Sequence, residues 1–150
     1  MTTEAAERLY FRHLAPNDLP DVWEAILPLI ERACQYTDDE LAPEMIVDGV
    51  LTGKMQLLCL HDGAKPHSIM VTMGVRPACA PAPRLEAIAV SGSDPDAWMP
   101  FEKEMDALAL AMGCDRVRIK GRPGWGRKLQ HWKVKALIME RRIDGRPIDA

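Results

Sequence analysis

The sequence has no apolar run approaching the ~18 residues that a helix needs to cross a bilayer, and it opens on the acidic stretch Met1-Thr2-Thr3-Glu4-Ala5-Ala6-Glu7 rather than on a basic and then apolar one. These absences argue against a helical membrane span and against a cleavable export signal. Cysteine is sparse: Cys34, Cys59, Cys79 and Cys114 are far apart and form no C-x-x-C pair. Buried, reduced thiols are therefore expected rather than a disulfide framework. The four histidines, His13, His61, His67 and His131, make neither an H-E-x-x-H pair nor a cluster with cysteine, so no metal site is expected. No repeat of 20–50 residues is visible, which sets aside solenoids and propellers. The glycine-rich stretch Gly121-Arg122-Pro123-Gly124-Trp125-Gly126 lacks the Lys-Ser/Thr that would follow in a P-loop. It reads as a tight turn anchored by Trp125.

What is present is ordinary globular material. A chain of 150 residues suits one domain spanning 1–150, with residues 1–8 and 143–150 as flexible tails. A domain of this size buries about 70% of the surface its unfolded chain exposes. Apolar residues make up 47% of the chain and charged residues 27%, so neither disorder nor a fibrous repeat is indicated. The charge is unevenly spread. Residues 1–114 carry 8 Lys and Arg against 18 Asp and Glu, a net of −10, whereas residues 115–150 carry 11 against 4, a net of +7. A basic final quarter suits phosphate, nucleic acid or an acidic protein surface.

The pattern along the chain is that of an α/β (α+β) fold. Residues 9–14 form a short aromatic and apolar run, read as a strand. Leu19, Val22, Trp23, Ile26, Leu27, Ile30, Ala33 and Cys34 then recur with helical spacing, with Pro28 as an expected kink. Thr37-Asp38-Asp39-Glu40 matches a capping box and predicts a second helix from that point, ended by Gly53. Strands are predicted over 55–60 and 68–75, joined by the turn His61-Asp62-Gly63. In a further strand over 84–90, Leu85, Ala87 and Ala89 share one face and Glu86, Ile88 and Val90 the other. A third helix carries Phe101, Met105, Leu108, Ala109 and Met112, with Gly113 as its left-handed terminator. The alternation in Val117-Arg118-Ile119-Lys120 predicts another strand, followed by a short helix over 128–132 and a last strand over 134–141.

The segment Ala111-Met112-Gly113-Cys114-Asp115-Arg116-Val117-Arg118-Ile119-Lys120-Gly121-Arg122-Pro123-Gly124-Trp125-Gly126-Arg127-Lys128-Leu129 resembles one found in small GNAT-like (N-acetyltransferase-fold) proteins encoded beside head and portal genes of tailed phages and prophages. The likeness extends over about residues 9–142, with Gly53-Lys54-Met55-Gln56-Leu57 as a second local match. It implies a mixed, mostly antiparallel sheet flanked by three to four helices. It also implies acetyl-CoA as the cofactor of any activity, held beside Ile88, Val90, Ser91, Gly92 and Ser93. Active GNAT enzymes place a Gln/Arg-x-x-Gly-x-Gly/Ala loop at that point, where backbone amides receive pyrophosphate. This chain reads Ser91-Gly92-Ser93-Asp94-Pro95-Asp96-Ala97-Trp98 instead, and Asp94 or Asp96 there would repel an anion.

Glu86 is the carboxylate best placed to serve as general base, unless it is simply a partnered strand residue. Tyr10 and Tyr36, the two tyrosines present, both lie in the N-terminal quarter, whereas the resemblance places the general acid in the C-terminal half. Arg116, Arg118, Lys120, Arg122, Arg127 and Lys128, joined by Lys133 and Lys135, make either the solvated face of a strand or a basic partner surface. The leading expectation is a phage or prophage protein with a degenerate acyl-CoA site. It would work in the host cytoplasm during assembly or in the virion, through phage structural proteins or self-association. An active acetyl-CoA-dependent N-acetyltransferase is the alternative. Nucleic-acid contact by the basic surface is a third reading, recognisable by a steep salt dependence.

Overall fold

The computed structural model describes residues 8–37, 40–92, 95–121 and 125–148. Much of the expected tails, together with Asp38, Asp39, Ser93, Asp94 and Arg122, lies outside those residues. Five strands form one sheet in the order β1 (Tyr10–Leu14), β2 (Met55–His61), β3 (Pro66–Val75), β4 (Arg84–Ser91), β5 (Val117–Ile119). The first four pair antiparallel and β5 joins β4 in parallel. The expected mixed, mostly antiparallel sheet is therefore what the chain forms.

Helices cover both faces, which is why Leu57 to Leu60 of β2 read as an unbroken apolar run: Leu57 and Cys59 bury against one layer, Leu58 and Leu60 against the other. The first layer consists of α1 (Leu19–Gln35) and α2 (Pro43–Leu51), contributing Ile26, Ile30, Ala33, Ile46 and Val50. The second consists of α3 (Pro95–Trp98) and α4 (Glu102–Ala111), contributing Trp98 and Met105. Pro28 lies inside α1 on its exposed side. The carbonyl of Glu24, which loses its intrahelical donor there, is thereby left to water.

Four local expectations are corrected. The second helix begins at Pro43, not Thr37. Pro43 suits the first helical position but holds Ala42 extended (φ −114°, ψ 156°), so the helix cannot run through it. The Thr37 hydroxyl accepts from the amide of Leu41 at 3.2 Å, while the Glu40 amide donates to the Thr37 carbonyl. The third helix is divided into α3 and α4 by a 3-10 turn, Met99–Phe101, that contains Pro100. The last short helix is α5 (Trp125–Lys128) rather than 128–132. Residues 134–141 form no strand; they run irregular and exposed. Edge β5 offers only three residues to pair with, and the chain just before this segment is drawn to α4 instead, where Trp132 Nε1 donates to Glu102 Oε1 at 2.9 Å.

Gly113 terminates α4 as its sequence position implies. It has φ +77°, its amide donates to Leu110 O, and the Cys114 amide reaches back to Ala109 O at 2.8 Å. Both bonds of a Schellman motif are present. This turn delivers the chain to β5 and buries Cys114 against Leu85 and Ala109.

The cysteines differ in access. Cys59 and Cys114 are buried, Cys34 is half-buried and Cys79 is exposed, all as free thiols. Burial pushes the Cys59 thiol up to about 11, with the Arg12 charge opposing. Native protein treated with a thiol reagent at pH 8 should therefore label Cys79 within minutes and Cys59 and Cys114 only after denaturant is added. Rapid native labelling of all four would show the two cores to be open.

Candidate functional site

The place to look for chemistry is where β4 and β5 part. They pair over Leu85↔Val117, Glu86↔Arg118 and Ala87↔Ile119, and no further. Beyond Ala87, β4 keeps its β3 partner through Ser91 but has no neighbour on its other edge among the described residues. A bulge begins the parting. The register of β3 steps from Val71↔Ala89 to Thr72↔Ala87, so Ile88 is the extra residue. Ile88 and Ala89 consequently both pack toward α1, while Ala87 and Val90 pack toward α4. The strict alternation expected along 85–90 is corrected here, because one inserted residue reverses every face that follows it.

Trp125 occupies the fork. It lines two hollows, one on each face of the sheet, and Val90 lines both as well. On the α1 side the hollow has an empty volume of about 430 Å³ and is bordered by Tyr36, Glu40, Ile88 and Lys120. On the α4 side an open hollow with an empty volume of about 350 Å³ is bordered by Met70, Trp98, Ile119 and Trp132. Gly121 permits this placement. A Cβ there would lie 3.1 Å from Trp125 Cε3, so any side chain at position 121 would press on the indole.

The end of β4 is tied down by three hydrogen bonds. Ser91 is 1% exposed and its hydroxyl donates to Leu29 O in α1. Its carbonyl accepts from Ser68 Oγ at 2.6 Å, and Ser68 Oγ in turn accepts from Trp98 Nε1 at 2.9 Å. Gly92 follows with φ +94°, and a Cβ there would fall 2.1 Å from His67 O. This glycine thus serves close backbone approach to β3 as well as a left-handed turn. Among the expected cofactor residues, then, Ile88 and Val90 border the fork, Ser91 is buried and engaged, Gly92 is exposed, and Ser93 lies outside the described residues.

Glu86 is on the α1 face of β4 with cations on either side. Its Oε1 lies 2.7 Å from Arg84 Nε and 3.9 Å from a terminal nitrogen of Arg118. The helix that would receive pyrophosphate, α3, is four residues long and begins with Pro95, which has no N–H to offer. Asp96, in its first turn, pairs with Lys128 at 3.0 Å. Tyr36, N-terminal in sequence, is brought by the fold to the border of the α1-side hollow. Its place at the C-terminus of an amphipathic helix facing the sheet was the available signal.

The expected basic surface is partly neutralised from within the chain. Arg118 meets Glu86, Lys120 meets Glu40 at 3.6 Å, Lys128 meets Asp96, and His131 meets Glu102 at 2.6 Å. Arg116 pairs with the adjacent Asp115, Arg127 is exposed, and Arg122 lies outside the described residues. Among the described residues no group of His, Cys, Asp and Glu could hold a metal, and no helix is long and apolar enough to cross a membrane.

No protein-family model and no curated protein matches the chain. Solved structures do match. An aminoglycoside acetyltransferase from an uncultured soil metagenomic sample, in complex with trehalose, superimposes with TM-score 0.63 at 11% identity, covering 90% of this chain and 96% of that one. A second soil metagenomic aminoglycoside acetyltransferase gives 0.65 at 10% identity over 95% and 99%. A ribosomal-protein-alanine N-acetyltransferase from Brucella melitensis gives 0.59 at 12% over 91% and 98%. The chain therefore has a GNAT-like acetyltransferase fold.

Ser68→Ala removes the acceptor of the buried Trp98 indole and the donor to Ser91 together. It should destabilise the protein by about 1–3 kcal/mol, the cost of an orphaned buried donor. Ser91→Ala, which leaves no such orphan, should cost roughly 1 kcal/mol. Urea unfolding of both variants checks the order; equal or reversed effects would contradict the bonding described.

Proposed function

We propose that this chain is a non-catalytic protein on an acetyltransferase scaffold, acting through protein contacts in the assembly or particle of a tailed phage or prophage. The observation that carries the non-catalytic part is the state of the fork. Its gap holds Trp125, and the hydroxyl of Ser91, at the end of β4, is buried and already engaged by Leu29 O. A phosphate needs donors, and this one is taken. Asp96 and a proline-led, four-residue helix stand where a pyrophosphate would be received. Glu86, the candidate base, is paired with Arg84 and Arg118, whose guanidinium groups crowd out an incoming ammonium. The phage context draws its support from the likeness of residues 111–129 to such proteins.

A working N-acetyltransferase remains the second reading, because one observation favours it: Tyr36 stands beside the fork, where a phenol could protonate a departing thiolate. The amine would attack the thioester carbonyl, Glu86 would take its proton, and the C–S bond would break. Nucleic-acid contact has less support, since Glu40, Glu86 and Asp96 lie among the cations that would carry it.

Isothermal titration of the intact chain with millimolar acetyl-CoA separates the first two readings. The non-catalytic reading expects no saturable heat and background turnover on amine and peptide panels. Micromolar binding, with turnover reduced by Tyr36→Phe or Glu86→Gln, would overturn it in favour of the enzyme.

A further inference from the structure

Three of the chain's four tryptophans, Trp98, Trp125 and Trp132, border the hollow on the α4 side of the fork. One charged residue, Glu102, joins them; every other lining residue is apolar, and no Lys or Arg is among them. The fourth indole, Trp23, packs in the α1 layer instead. The N–H of Trp98 is committed to Ser68 Oγ and that of Trp132 to Glu102 Oε1. Neither is left for a ligand that needs a donor, and a lining without cations offers an anion nothing. Glu102 is committed through one oxygen. Its Oε1 accepts from Trp132 and lies 2.6 Å from His131 Nε2, while Oε2 has no hydrogen-bond or ion-pair partner among the described residues. Lys128, next to the lining residue Leu129, is held by Asp96 at 3.0 Å.

We propose that this hollow is a binding site for a small alkylated ammonium ion, of which a trimethylammonium head group is the simplest example. The charge fits: the π-faces of aromatic rings attract such a cation, indole most strongly, and the Glu102 carboxylate supplies a counter-charge that no Lys or Arg of the lining cancels. The shape of its hydrogen bonding fits as well. A primary ammonium carries three donors, and the side chains of the lining hold acceptors only at Glu102. A quaternary nitrogen has no N–H and leaves none unmet, while its methyl groups meet the apolar walls. The empty volume of about 350 Å³ stands near the lower end of the roughly 300–1,000 Å³ usual for ligand pockets, and the hollow is open. It therefore suits a compact head group whose remainder leads out to solvent.

This binding requires no acyl-CoA, so its success or failure is read separately from the calorimetry. Choline is the probe, titrated into the full chain at pH 8 to about 50 mM, enough to saturate a millimolar site, with ionic strength held constant by sodium chloride. The indole N–H resonances of Trp98, Trp125 and Trp132 should shift saturably while that of Trp23 stays in place. The neutral carbon isostere of choline, with a tert-butyl group in place of trimethylammonium, should bind about tenfold more weakly or worse. Glu102→Gln keeps an acceptor for Trp132 and removes the charge; it should weaken choline about threefold or more. No saturable shift, or a shift confined to Trp23, would overturn the proposal. So would an isostere that binds as tightly as choline, a comparison that needs no variant to fold, or choline binding unchanged in Glu102→Gln.

Discussion

The bonds that meet at Ser91 fix where β4 stops. Its side chain reaches across to α1 through Leu29 O, while its carbonyl holds Ser68, which holds the indole of Trp98 in α3. One residue thus joins the two helical layers through the sheet. All these groups are buried or nearly so, and an unmet partner would cost more there than at the surface. With Ser91 fixed, Gly92 must turn directly over the His67 carbonyl, in a space that admits no Cβ.

Downstream, the bulge at Ile88 sends two successive side chains to the α1 face, β5 stops after Ile119, and Trp125 folds back over Gly121 into the gap. The chain's lopsided charge has a structural outlet in the same region. Glu40, Glu86 and Asp96 from the acidic part meet Lys120, Arg118 and Lys128 from the basic part. Exposed pairs of this kind contribute only about 0–1 kcal/mol each. Their effect is on the surface: cations that look continuous in sequence are interleaved with carboxylates in space. The fold is GNAT-like, with Trp125 in the gap between β4 and β5 and a hollow on either side of it.

Most of the architecture could be read from local patterns. The helical spacing from Leu19 to Cys34, the apolar run of β2, the alternation at Val117 and Ile119 and the left-handed Gly113 each specify their own element. What could not be read depends on partners distant in sequence. The bulge at Ile88 exists only in relation to β3. The buried role of Ser91 depends on Leu29, 62 residues away. Tyr36 reaches the fork only because α1 crosses β4. The strand predicted over 134–141 had the right composition, but composition does not supply a neighbour. Pro43 and Pro100 are local signals that outweigh a capping box and a helical period.

If the knot at Ser91 governs this end of the sheet, the indole proton of Trp98 must be among the slowest to exchange in the molecule. Native-state hydrogen exchange followed on that proton tests the point directly. Its protection should match that of the most protected amides of β2 and β3, so that exchange occurs only on global unfolding. Exchange as fast as that of an indole in an open loop would mean that Ser68 and Ser91 do not hold Trp98, and that the end of β4 is free to rearrange around a cofactor.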